Sequence, residues 1–111
     1  MLASKYRLKY KSSFVRVEID GKLSQFKYFG LGVYDRKDED PSLFGFVIST
    51  KISKRAVVRN RIKRFFSDHI RLNFEKIKPG LDVIFLIKPS ILKIDRELIE
   101  KEINEAISKN L

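Results

Sequence analysis

Apolar and polar positions along this chain change period several times, and each change marks an element. Residues 25–34 are rich in Phe and Tyr, and residues 43–50 read Leu-Phe-Gly-Phe-Val-Ile-Ser-Thr, so both are strand candidates. Between them the polar stretch 35–42, Asp-Arg-Lys-Asp-Glu-Asp-Pro-Ser, reads as a hairpin connection. From residue 56 to 74 the residues Val58, Ile62, Phe65, Phe66, His69, Ile70 and Leu72 recur at intervals of three and four, which predicts a central helix. Pro79-Gly80 interrupts the chain, and residues 81–87 form a buried-looking strand closed by Lys88-Pro89. Asp95 then caps a final helix whose apolar stripe is Leu98, Ile99, Ile103, Ala106 and Ile107, with Ile94 and Ile99 spaced as a hydrophobic staple.

The N-terminal third supports two readings. Val15, Val17 and Ile19 alternate with Arg16, Glu18 and Asp20 as on an amphipathic strand leading to an Asp20-Gly21 turn. Equally, Ser12 or Ser13 caps a short helix that Gly21 ends.

With 111 residues, 43% of them hydrophobic, the chain is expected to form one domain over 1–111 around a modest core. The formal net charge is +10, so a polyanion is the leading class of partner. That excess is not spread evenly. Residues 1–40 carry nine basic and six acidic side chains, residues 41–67 seven basic and none acidic, and residues 68–111 eight of each. Concentration in an acid-free stretch points to a binding surface that carboxylates would spoil by repelling phosphate.

Other classes are excluded or disfavoured. No cysteine is present, so there is no disulfide framework and no thiolate metal site, and the cytoplasm is the expected compartment. The N-terminus lacks the apolar core of a signal peptide, and the strongly apolar run 83–87 is far below the ~18 residues needed to cross a bilayer. Neither a membrane nor a small-molecule substrate is expected as partner.

The informative run is residues 51–64, whose seven cations are Lys51, Lys54, Arg55, Arg59, Arg61, Lys63 and Arg64. At about 100° per residue, Asn60, Lys63, Arg64, Ser67 and Arg71 share a polar face, while Ile62, Phe65, Phe66 and His69 share the opposite one. Arginine's planar fork suits phosphate oxygens and stacks on bases, lysine supplies a point charge, and Asn60 adds an uncharged donor and acceptor. The helix start near Ala56 adds positive potential. Arg59 falls near the apolar side, which suggests a structural role or a first-turn position pointing away from the core.

The run Arg59-Asn60-Arg61-x-Lys63-Arg64 resembles the motif of the ribonuclease P protein family. Arg7-Leu8, Phe14, Gly21-Lys22, Gly45, Lys51, Ala56-Val57, Asp82 and Lys88-Pro89 follow in the order that family shows, so the similarity covers nearly the whole chain. The resemblance implies an α+β two-layer sandwich related to a ribosomal-protein domain, with a four-stranded mixed sheet, a left-handed β-α-β crossover and the order α-β-β-β-α-β-α. It implies that Phe14 lies on a short N-terminal helix. It also implies that the basic helix faces ribonuclease P RNA through Lys51, Lys54, Arg55, Arg59, Asn60, Arg61, Lys63, Arg64 and Arg71. A cleft is implied to take the 5′ leader of precursor tRNA, with Phe14, Phe29 and Tyr34 as stacking platforms and Lys88 as a cation beside them. Glu18, Thr50 and Ser67 depart from the family pattern, which weakens the leader contacts more than the basic helix.

No polypeptide catalyst is evident. His69 is the sole histidine and lies on the apolar azimuth, and the acidic residues Asp38, Glu39 and Asp40 read as a solvated loop rather than a metal site. The resemblance assigns the chemistry to Mg²⁺ on the RNA subunit, with no cofactor held tightly by the protein. The competing reading is a ribosomal or RNA-assembly protein that only scaffolds RNA, since such proteins share this size and charge.

Overall fold

The computed structural model describes residues 3–93 and 95–111. Its elements are α1 (Lys11–Asp20), β1 (Lys22–Gln25), β2 (Phe29–Asp35), β3 (Leu43–Val47), α2 (Ala56–Leu72), β4 (Leu81–Ile87) and α3 (Arg96–Asn110), in the expected α+β order. The sheet runs β1-β2-β4-β3, with β3 parallel to β4 and the other pairs antiparallel. The staple expected between Ile94 and Ile99 lies outside the described residues.

This topology corrects the hairpin expected at residues 35–42. Those residues do not join neighbours, because β4 is inserted between β2 and β3. A polar loop signals a reversal without naming the next partner, whereas Leu81–Ile87 is apolar enough on both sides to demand a central place. The true hairpin is tighter and lies inside the aromatic run that reads as one strand. Residues 26–28 turn β1 into β2, and the Phe26 N–H donates to the Phe29 carbonyl at 2.9 Å.

Alternation along the strands sorts side chains onto two unlike faces. Phe29, Leu31, Phe44, Val83 and Phe85 point to one face, where Phe66 and Ile70 of α2 and Ile99, Ile103, Ala106 and Ile107 of α3 cover them. Phe66 lies at the centre, 5.6 Å from Phe29 and 5.5 Å from Phe85 between ring centroids. The other face carries Tyr34, Leu43, Ile84 and Leu86, and α1 and Leu8 pack upon it. Helix α1 sits close against the strands because Gly32 and Gly45 leave room. A Cβ on Gly32 would stand 2.8 Å from Val17, and one on Gly45 only 2.6 Å from the Phe14 ring.

Residues 11–20 are therefore a helix, not a strand. A strand would bury Val15, Val17 and Ile19 together. Instead Val17 is buried beside Phe14 while Ile19 is 73% exposed. The serines do not cap it: Tyr10 holds the cap position without a side-chain bond, and Ser12 and Ser13 lie inside the first turn. Gly21 does end the helix as expected, its N–H donating to the Val17 carbonyl at 3.0 Å, and tertiary packing on Gly32 and Gly45 supplies the stabilisation that the missing N-cap does not.

The opposite face needs an anchor of another kind. Asp82 of β4 is fully buried and accepts from Arg16 of α1 at 2.7 Å and from Arg36 at 2.5 Å. Arg36 also donates to Asp38 and to the Asp40 and Pro41 carbonyls. One carboxylate thus ties α1 and the loop after β2 to the central strand.

Two helix faces differ from their expected azimuths. Ser67, placed on the polar face of α2, is 0% exposed, because the buried stripe is Phe66, Ser67 and Ile70 rather than one centred on Ile62 and His69. Ile62, Phe65 and His69 are half-buried, and Leu72 is exposed. On α3 the Asp95 side chain accepts from the Glu97 N–H as expected, but Leu98 is 51% exposed and outside the stripe of Ile99, Ile103, Ala106 and Ile107. Helix α2 stops two residues before Phe74, where the Asn73 amide donates to the His69 carbonyl at 2.8 Å.

Candidate nucleic-acid interface

The approach to α2 is a loop held by its own short side chains. Ile52 is buried as the anchor, the Lys51 N–H donates to Ser49 Oγ at 3.2 Å, and the Arg55 N–H donates to Ser53 Oγ at 3.2 Å. Arg59 donates to the Ser53 carbonyl at 2.8 Å and is half-buried, so its guanidinium fastens the loop to the first turn of α2. Arg59 is therefore structural at least in part, as its azimuth suggests. Lys51, Lys54 and Arg55 are left exposed on that fixed loop.

Beyond the turn, Asn60, Arg61, Arg64 and Arg71 are exposed and Lys63 is half-buried. Asn60, Arg61, Lys63 and Arg64 line an open groove of about 540 Å³ together with Val57 and, from the N-terminal segment, Arg7. Among the described residues no carboxylate lines it. Among the described residues none of the cations from Lys51 to Arg64 takes part in an ion pair, so their charge is available to solvent and ligand. Asp68, one helical turn beyond Arg64, ends the acid-free stretch and separates Arg71 from it. Arg7 is the residue that sequence reasoning left out of the site. Arg7-Leu8 marks the family pattern without pointing to a contact, and only the tertiary pairing of this segment with Phe44 brings Arg7 to α2.

The expected stacking cleft is brought together only in part. Phe14 and Tyr34 do share the α1 face of the sheet, both half-buried. Tyr34 carries the Arg16 guanidinium 4.7 Å from its ring centroid, so that face of the ring is already covered. Lys88 is half-buried at the end of β4, its ammonium donating to the Phe26 carbonyl at 2.6 Å with two N–H groups to spare. Phe29 is a correction: it is 0% exposed in the core on the opposite face. Strand parity explains this and was available in the sequence, because residues 29 and 34 are five apart and must point to opposite sides.

Several other titratable groups hold elements of the fold together. His69 bridges α2 and α3, with Nδ1 at 2.9 Å from the Phe65 carbonyl and Nε2 at 3.4 Å from Glu100. Hydrogen bonding to Arg36 holds the Asp38 carboxyl below its usual range, and Lys78 does the same for Asp35. Among the described residues no three His, Asp or Glu side chains come together as a metal site, and no helix is long and apolar enough to cross a membrane.

Comparison with known proteins supplies an independent line. A family model described as Ribonuclease P matches residues 2–110. The ribonuclease P protein component of a Cyanothece species is 31% identical over 124 residues, covering 98% of this chain and 95% of that protein. The corresponding component of Fusobacterium nucleatum is 37% identical over 86 residues, covering 75% and 77%. Among solved structures, a Staphylococcus aureus RNase P protein superposes with a TM-score of 0.84 at 22% identity, covering 93% of each chain. The Thermotoga maritima protein gives 0.82 at 22% identity, covering 95% of this chain and 97% of that one.

Proposed function

The chain belongs to the ribonuclease P protein family, and from that premise we propose that it is the protein subunit of the cytoplasmic ribonucleoprotein that removes the 5′ leader from precursor tRNA. The observation that carries this reading is the ridge of Lys51, Lys54, Arg55, Arg61, Lys63 and Arg64, without an ion pair among the described residues and fixed in place by a buried helix flank. Such a surface gains affinity by displacing counterions condensed on RNA. Its arginines add directional contacts to phosphate oxygens, and Asn60 adds a neutral one.

All 111 residues act in this reading as one domain with two duties. The α2 ridge docks on the catalytic RNA. The α1 face, with Phe14 as its stacking ring and Lys88 as its cation, receives the unpaired leader, where a base finds a π-surface and its phosphate a charge. Tyr34 contributes chiefly by holding Arg16, and Phe29 contributes through the core. Mg²⁺ held by the RNA supplies the hydrolytic chemistry, and this chain supplies substrate affinity and charge neutralisation.

Reconstitution tests the proposal. Added to a ribonuclease P RNA at low Mg²⁺, the protein is expected to restore cleavage of a leader-bearing tRNA precursor. Tight RNA binding with no gain in cleavage would instead establish the scaffolding alternative.

A further inference from the structure

The groove beside α2 has two walls, and the family motif accounts for only one of them. The second wall is the N-terminal segment, where Arg7 pairs in parallel with Phe44 and the Leu8 N–H donates to the Phe44 carbonyl at 2.9 Å. These main-chain bonds set where Arg7 stands without using its side chain. Among the described residues the Arg7 side chain makes no ion pair or hydrogen bond, and its Nε is shut off from solvent with no partner. Arg16 also has an unpartnered Nε, but its charge is already matched by Asp82 through the terminal nitrogen. Arg7 has no such match. A guanidinium positioned by backbone, lacking an acid and lining a groove opposite Asn60, Arg61, Lys63 and Arg64, is arranged for an anion that is not part of this chain.

We infer that Arg7 and the α2 side chains Arg61 and Arg64 form a two-sided clamp on one stretch of RNA phosphodiester backbone. This rests on the proposed function above and adds a residue and a subsite to it. The position has a consequence for how the two RNA-binding faces connect. Successive residues of an extended segment point to opposite sides, so Arg7 faces the groove while buried Leu8 packs with Phe14 over Gly45 on the α1 face. The clamp therefore sits at the seam between the α2 ridge and the stacking cleft. A strand leaving one surface for the other passes Arg7.

The test is a salt titration of RNA affinity with the full-length protein and its Arg7→Gln, Arg7→Lys and Arg64→Glu variants. Arg7→Gln is expected to weaken binding about tenfold and to lower the slope of log affinity against log salt by about one, the signature of one lost phosphate contact. Arg7→Lys is expected to keep the slope while recovering only part of the affinity, since a point charge replaces a fork. Thermal midpoints of all three are expected to match the parent, because the segment is held by its backbone. Wild-type affinity and slope for Arg7→Gln, beside a weakened Arg64→Glu, would overturn the clamp and leave the functional reading standing. If neither variant moves either quantity, the functional reading itself fails. Measuring Arg7→Gln against the RNA subunit alone and against precursors with trimmed or full leaders identifies the source of the phosphate. A penalty confined to the full leader assigns the clamp to the leader, and one present with the RNA alone assigns it to the ribozyme.

Discussion

Arg16 and Arg36 converge on one buried carboxylate, whereas Arg61 and Arg64 stand exposed on α2 with no acid in ion-pairing distance among the described residues. The residue type is the same and the work is opposite. Around Asp82 the guanidinium groups neutralise a charge that burial would otherwise penalise, and they hold α1 and a loop to the sheet. On α2 neither guanidinium closes an ion pair among the described residues, Arg64 acting on Asp68 only at a distance, and the helix is kept in place by Phe66 and Ile70 on its other side. Counting cations does not separate a binding surface from an internal clamp; what faces each cation does.

The contrast breaks most visibly at Asp82. Asp82→Ala leaves Arg16 and Arg36 without their shared partner and is expected to destabilise the fold by about 3–5 kcal/mol, read from the urea midpoint. A loss below about 1 kcal/mol would mean that the two arginines find water as readily as the carboxylate. At the other pole, Arg64→Glu is expected to change stability by no more than about 0.5 kcal/mol while weakening RNA association and lowering its salt slope by one to two. An unchanged slope removes Arg64 from the interface. The smallest effect concerns the exposed part of the clamp. The Asp38 carboxyl is lowered from 3.8 by its bond to Arg36, so its contribution to stability is present above that value and is lost as pH falls through the lower folded-state value. Wild type and Asp38→Asn are therefore expected to differ slightly in urea midpoint between pH 5 and 7 and to converge only as pH falls from 3.8 through the lower folded-state value. A difference that persists into acid would show that the loop does not depend on that charge.

Periodic elements were legible. The three-and-four spacing of α2, the Asp95 cap and stripe of α3, and the apolar run of β4 are local signals, and each element formed where its signal lies. Even the misplacement of Phe29 was avoidable by counting parity along β2. Three features were not decided by local signals. The insertion of β4 between β2 and β3 depends on which strand most needs two covered faces. The helical state of residues 11–20 depends on Gly32 and Gly45, which are distant in sequence, leaving space for Val17 and Phe14. The burial of Ser67 depends on the rotation α2 adopts against a sheet built from four separate segments.

By itself the sequence determined α2, β4 and α3, the chemistry of the α2 ridge and its freedom from carboxylates, because propensity, period and charge are properties of neighbouring residues. Only the tertiary structure decided that Asp82 is buried between two arginines, that Tyr34 is covered by one of them, and that Arg7 forms the second wall of the basic groove. Each of these joins residues far apart in the chain, from the eighteen positions that separate Arg16 from Tyr34 to the sixty-six that separate Arg16 from Asp82. Contacts of that span form only when the whole sheet closes, so no window along the chain contains them.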